Sequence, residues 1–142
     1  MTSAYLPFFK RFATKIDQLL GEETYRRIEN EPWMPLSIER IGQSGDGNPL
    51  IAMSHTAVQN GDLMRDPEVV FELVTPTLAE PISYRQDYLG GAVREVYTYD
   101  QAGRRVGFRP QEKADLCRFC SVWFRNLAEQ DFFEAAKRSA AA

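Results

Sequence analysis

A chain of 142 residues that is 44% hydrophobic, 12% aromatic and 26% charged can bury one core without disulfides or a structural metal, and it is too apolar to be disordered. A formal charge of -3 and a pI near 5.2 exclude a broad basic face as its main business, yet are too mild for a strong DNA mimic. Lys10, Arg11, Lys15 and Asp17 break the N-terminal apolar stretch, so neither a membrane span nor a signal peptide is expected, and one cytoplasmic domain over residues 1–142 is.

Tyr5, Phe8, Phe9, Phe12, Ile16, Leu19 and Leu20 recur at three- and four-residue spacing, which predicts an amphipathic N-terminal helix with an aromatic stripe. Gly21 interrupts it, and residues 22–28 read as a continuation or a second short helix until "NEPWMP" stops helical structure. From Leu36 to Phe108 the period changes to two, predicting antiparallel strands near 36–42, 50–57, 68–75, 81–88, 92–99 and 105–108. "GQSGDGNP" and "YDQAGRR" read as hairpin loops, and "NGDLMRDP" as a longer turn. Pro110 then opens a second long helix with Leu116, Phe119, Cys120, Trp123 and Leu127 on one face, and its Ser-Ala end is expected to fray. The fold class is therefore α+β, with an N-terminal helix, a central antiparallel sheet of five or six strands, and a long C-terminal helix packed on the sheet. Phe132 and Phe133 suit core, dimer interface or partner anchor alike.

Cys117 and Cys120 form a Cys-x-x-Cys pair, but a second cysteine pair is missing and His55 is the single histidine, so reduced core thiols are expected and no cofactor. His55 with Asp62, Asp66 and Glu68 makes a metal or acid-base site conceivable, while Asp after Asn-Gly and Asp before Pro are also what turns require. Arg104, Arg105, Arg109 and Lys113 cluster before the last helix, where they could contact phosphates or form a solvated edge.

The stretches "NGDLMRDPEVVFEL" and "PISYRQDYLGGAVREVY" together resemble an uncharacterised small-protein family of phages, plasmids and conjugative elements over roughly residues 35–125. The positions that carry the resemblance are Asn60 to Met64, Asp66 to Glu68, and Tyr84, Asp87, Tyr88, Leu89 and Gly90. That family brings no catalytic residues to transfer. The resemblance implies accessory cargo of mobile elements, a setting in which small acidic domains often inhibit host defence, as anti-CRISPR or antirestriction proteins do.

The expectation is thus a non-enzymatic protein that occupies the surface of a host nucleoprotein defence complex. Asp62, Arg65, Asp66, Glu68, Gln86, Asp87 and Tyr88 would form its contact loops, and Trp33 and Tyr88 are candidate exposed aromatic anchors. The alternatives are a metal-assisted or carboxylate-based enzyme on nucleic acid or nucleotide around His55, and a nucleic-acid accessory factor using the basic cluster. A homodimer is compatible with the aromatic content.

Overall fold

The computed structural model describes residues 3–141. A single 3-10 turn, Ser3–Tyr5, leads into α1 (Leu6–Leu20), whose Phe9, Phe12, Ile16, Leu19 and Leu20 are all buried. Gly21 ends it with a positive φ of 61°, its N–H donating to Asp17 O at 2.8 Å. The next element is a strand, β1 (Tyr25–Asn30), and not the expected helical continuation over 22–28. Of its inward positions, 26, 28 and 30, only Ile28 is apolar. Arg26 and Asn30 instead serve helix carbonyls: Arg26 donates to Leu19 O at 2.7 Å and Ala136 O at 2.9 Å, and Asn30 to Gln130 O. Polar side chains at inward positions hid the period of two.

Strands β2 (Trp33–Gln43), β3 (Pro49–Gln59), β4 (Asp62–Thr75), β5 (Leu78–Arg85) and β6 (Val93–Glu95) complete a six-stranded antiparallel sheet in sequence order. Its register lines up Ile38, Met53 and Val69, and beside them Ile51 and Phe71, all at most 1% exposed. Phe12 of α1 meets Phe71 edge-on at 6.0 Å and Phe124 at 5.4 Å, so one face of the sheet carries the helices. Each buried side chain of this size contributes about 1.5–3 kcal/mol on removal from water.

"NGDLMRDP" is not a long turn. Asn60 (φ 53°) and Gly61 (φ 85°) alone make a two-residue turn whose paired positive φ values suit the twist of β3 and β4. Asp66 and Pro67, joined by a cis peptide bond, lie inside β4 and stand two against one opposite His55, as the register steps from Ser54↔Glu68 to Thr56↔Arg65.

The expected strand over 92–99 breaks at Val96. Val93–Glu95 stays in the main sheet, whereas β7 (Tyr97–Tyr99) pairs only with β8 (Arg105–Phe108) in a separate ribbon. Buried Val96 joins them, donating to Ile82 O at 3.0 Å and accepting from Arg109 N at 2.7 Å. The C-terminal segment is two helices, α2 (Pro110–Glu129) and α3 (Phe132–Ala141), and α3 continues through the Ser-Ala stretch up to Ala141. Asp131 takes a left-handed φ of 64° between them, which returns Phe132 to the core at 0% exposure. Phe133 is half-buried under Lys15, whose Nζ lies 4.9 Å from the ring centre. No helix among the described residues is long and apolar enough to cross a membrane.

Candidate functional site

The bulge in β4 and the short turn Asp87–Leu89 after β5 meet in one polar rim. Asp87 organises it. Its Oδ2 accepts the backbone N–H of Arg65 at 2.7 Å, its Oδ1 accepts Arg85 Nε at 2.7 Å, and Arg65 Nη1 lies 3.8 Å away. The Arg65 N–H, with the two guanidinium groups, holds the Asp87 carboxyl below the usual carboxylate range in spite of its burial. Arg65 also pairs with Glu68 at 3.2 Å, and Gln86 donates to Asp66 while accepting from Tyr84 OH at 2.8 Å. Gly90 (φ 93°) and Gly91 (φ 73°) turn the chain back, their N–H groups bonding Asp87 O and Gln86 O.

Arg65, Asp66, Glu68, Gln86 and Asp87 are therefore brought together, and their polar atoms are largely spent on one another. Asp62 stands exposed at the β3–β4 tip beside the exposed cross-strand pair Val58 and Leu63. Tyr88 is 44% exposed on the turn, and Trp33 is 46% exposed at the distant β1–β2 hairpin.

The basic cluster is divided. Arg105 donates to Glu72 at 2.6 Å and stacks on Tyr97 with its guanidinium carbon 3.6 Å from the ring centre. Lys113 pairs with Glu80 at 3.1 Å, and its ammonium lies within 5.8 Å of the ring centres of Tyr5, Phe9, Tyr97 and Phe108. Glu72 and Glu80 are cross-strand partners, each 1% exposed. Burial alone would raise the Glu72 carboxyl, but donors from Asn48, Arg105 and Ser44 outweigh it and hold the group low. Tyr97 donates to Glu80, and burial with that carboxylate pushes its hydroxyl far up. Arg109 donates to Glu95 O at 3.0 Å and Tyr97 O at 3.4 Å, and Arg104 is exposed. Two of the four cations thus neutralise buried acids within the fold. Sequence spacing pointed to the cations and not to Glu72 and Glu80, which read as ordinary strand residues.

A family model described as a domain of unknown function (DUF6908) matches residues 8–133. The chain belongs to this family. The match runs from the first turns of α1 to the start of α3, taking in the sheet, the rim and the ionic cluster. No curated protein and no solved structure matches the chain.

His55 of this DUF6908 domain, which lies opposite Asp66 and Pro67 in the register, spends both ring nitrogens on other partners than the rim acids. Its Nδ1 lies 3.1 Å from Met34 O, Trp123 Nε1 donates to its Nε2 at 3.0 Å, and Phe132 packs at 5.6 Å. Nε2 must therefore accept and Nδ1 donate, which selects one neutral tautomer. Burial lowers its pKa, and the backbone of Met34 and Pro35 with the charge of Asp66 oppose this less strongly. Cys117 and Cys120 are free and buried on α2. Burial pushes the Cys117 thiol up to about 11 and the Cys120 thiol well above its ordinary value. Among the described residues no group of three or more His, Cys, Asp and Glu side chains is placed to hold a metal ion.

Proposed function

We propose that this DUF6908 protein is a non-enzymatic binding protein, cytoplasmic cargo of a mobile genetic element, that inhibits a host defence complex of the CRISPR or restriction type by occupying its surface. The observation that carries the reading is the preorganised rim. Asp87 ties Arg65 to Arg85, so Asp62, Leu63 and Tyr88 project from a frame that is ordered before any partner arrives. A surface that is already rigid loses less conformational freedom on binding, and an exposed aromatic with flanking charges supplies the anchor and the selectivity. The mobile-element setting and the type of partner rest on the resemblance of the "NGDLMRDPEVVFEL" and "PISYRQDYLGGAVREVY" stretches.

The test is affinity capture from lysate of a bacterium with active CRISPR and restriction systems, with and without nuclease, using the unaltered chain and an Asp62→Lys, Tyr88→Ala variant. A defence complex retained after nuclease by the unaltered chain and lost by the variant is the expected result. Retention by both, or recovery that vanishes with nuclease, would overturn it, the latter in favour of nucleic acid.

A further inference from the structure

An open groove of about 510 Å³ runs between β6 and α2. Tyr84, Leu116 and Phe119 line it with apolar surface, the Tyr84 ring standing edge-on to Phe119 at 5.3 Å. Its borders are charged, with Arg94 on the strand side and Glu112 and Asp115 on the helix side. Strand β6 is the edge of the six-stranded sheet and pairs with β5 alone among the described residues. Because the Val96 N–H bonds Ile82 O, antiparallel alternation turns the backbone groups of Arg94 toward β5 and those of Val93 and Glu95 away from it. The Glu95 carbonyl is taken by Arg109, which leaves the Val93 N–H, the Val93 carbonyl and the Glu95 N–H facing outward beside an apolar channel.

We propose that this groove binds an extended peptide segment of a partner protein, which adds as a seventh strand along β6 and sets a basic side chain against Glu112 and Asp115. Strand addition to an exposed edge beside a side-chain groove takes its affinity from main-chain bonds and its selectivity from the groove. The charge pattern chooses the cation. Glu112 has no ion pair or side-chain hydrogen bond among the described residues, and Asp115 is engaged only by Gln111 at 2.8 Å and Arg118 at 3.2 Å on the exposed helix surface. Arg94, also without an ion pair among the described residues, repels a basic side chain on the strand side and so directs it to the helix side. Apolar residues two positions before and after that cation, on the same face of the added strand, would rest on Tyr84, Leu116 and Phe119. Gln86 lines the groove and donates to Asp66 of the rim, so groove and rim form one continuous surface.

This inference rests on the binding-protein reading and names the chemistry of the partner. The probe is a phage-displayed library of random dodecapeptides panned on the full chain, with selected peptides resynthesised and titrated by fluorescence anisotropy. Apolar peptides carrying Lys or Arg are expected. Val93→Pro removes an outward N–H without touching a position that faces β5, and should weaken binding by about tenfold or more. Glu112→Gln with Asp115→Asn, which removes both charges and keeps the shape of the side chains, should do the same. Selection of no peptide, or affinity indifferent to both variants, overturns the groove. Concentration-dependent self-association abolished by Val93→Pro would assign the edge to a second copy and overturn it as well. The Asp62→Lys, Tyr88→Ala variant separates the two readings. Peptide affinity that survives it supports the groove, whereas a cellular partner lost with it when no peptide is selected leaves the rim reading standing and the groove refuted.

Discussion

The backbone N–H of Arg65 donates to the Asp87 carboxylate at 2.7 Å, joining the bulge of β4 to the turn after β5. Asp87→Ala would strand that N–H and take the carboxylate from Arg85, while Arg65 keeps Glu68, at a cost of about 1–3 kcal/mol. Asp62→Ala, at the exposed tip, should stay within about 0.5 kcal/mol. Urea unfolding of the two variants checks this, and equal losses would show that Asp87 is no more structural than Asp62. Because the Asp87 carboxyl is held below its ordinary value of 3.8, its contribution is present above that pH and lost as acid protonates the folded form.

The neutral ring of His55 gives a second pH dependence in a higher range. Its folded pKa lies below the ordinary 6.5, so between the two values the unfolded chain holds a proton that the folded chain does not. Stability therefore rises with pH through that window and falls on acidification below about 6.5, with a slope of at most about 1.4 kcal/mol per pH unit. His55→Gln should flatten this slope. Denaturant midpoints of both proteins measured from pH 5 to 8 test it, and an unchanged slope in the variant would place the titration elsewhere.

The elements whose inward positions are apolar were legible from sequence: α1, β2, β3, the second half of β4 and the first face of α2, with β5 only in part, since the strand expected over 81–88 runs from Leu78 to Arg85 and gives way to the turn Asp87–Leu89. β1 was not, because Arg26 and Asn30 occupy inward positions as partners of helix carbonyls, a role that depends on α1 and α3 already being in place. Asp66-Pro67 read as a turn since the local chemistry of a turn and of a bulge is the same, and only pairing with His55 and its neighbours distinguishes them. Within the rim, the types of residue were legible but not their bonds. Asp87 and Arg65 lie 22 positions apart, and nothing local marks one as the other's acceptor. The groove was illegible altogether, as Arg94, Glu112 and Asp115 meet only when β6 comes to lie beside α2.

The cysteines should be inert in the folded protein. A thiol needs its thiolate and access to react, and both are withheld: Cys120 is 0% exposed, Cys117 is 3% exposed, and the Cys117 thiol is pushed up to about 11. An Ellman assay at pH 8 is expected to show no rapid reaction under native conditions and two thiols per chain in denaturant. Prompt native labelling would mean that α2 opens from the core.

Glu72 and Arg105 couple β4 to the separate ribbon of β7 and β8, and the coupling is measurable as a cycle. Arg105→Met leaves a buried carboxylate with Ser44 and Asn48 as its remaining donors, which should cost about 3 kcal/mol, the lower end of what breaking a buried pair costs, since Arg105 is itself 26% exposed. Glu72→Gln should cost less, because its single amide oxygen can still accept from Ser44 and Asn48 where Oε2 did and it carries no charge to bury, although its NH2 then faces Arg105 in place of Oε1. In the double variant the losses should fall short of their sum by more than about 0.5 kcal/mol, the mark of groups that act on each other. Chemical denaturation of the four proteins gives that difference directly. Strict additivity would show that Arg105 is held by the face of Tyr97, 3.6 Å beneath its guanidinium, and that Glu72 contributes nothing to fastening the ribbon.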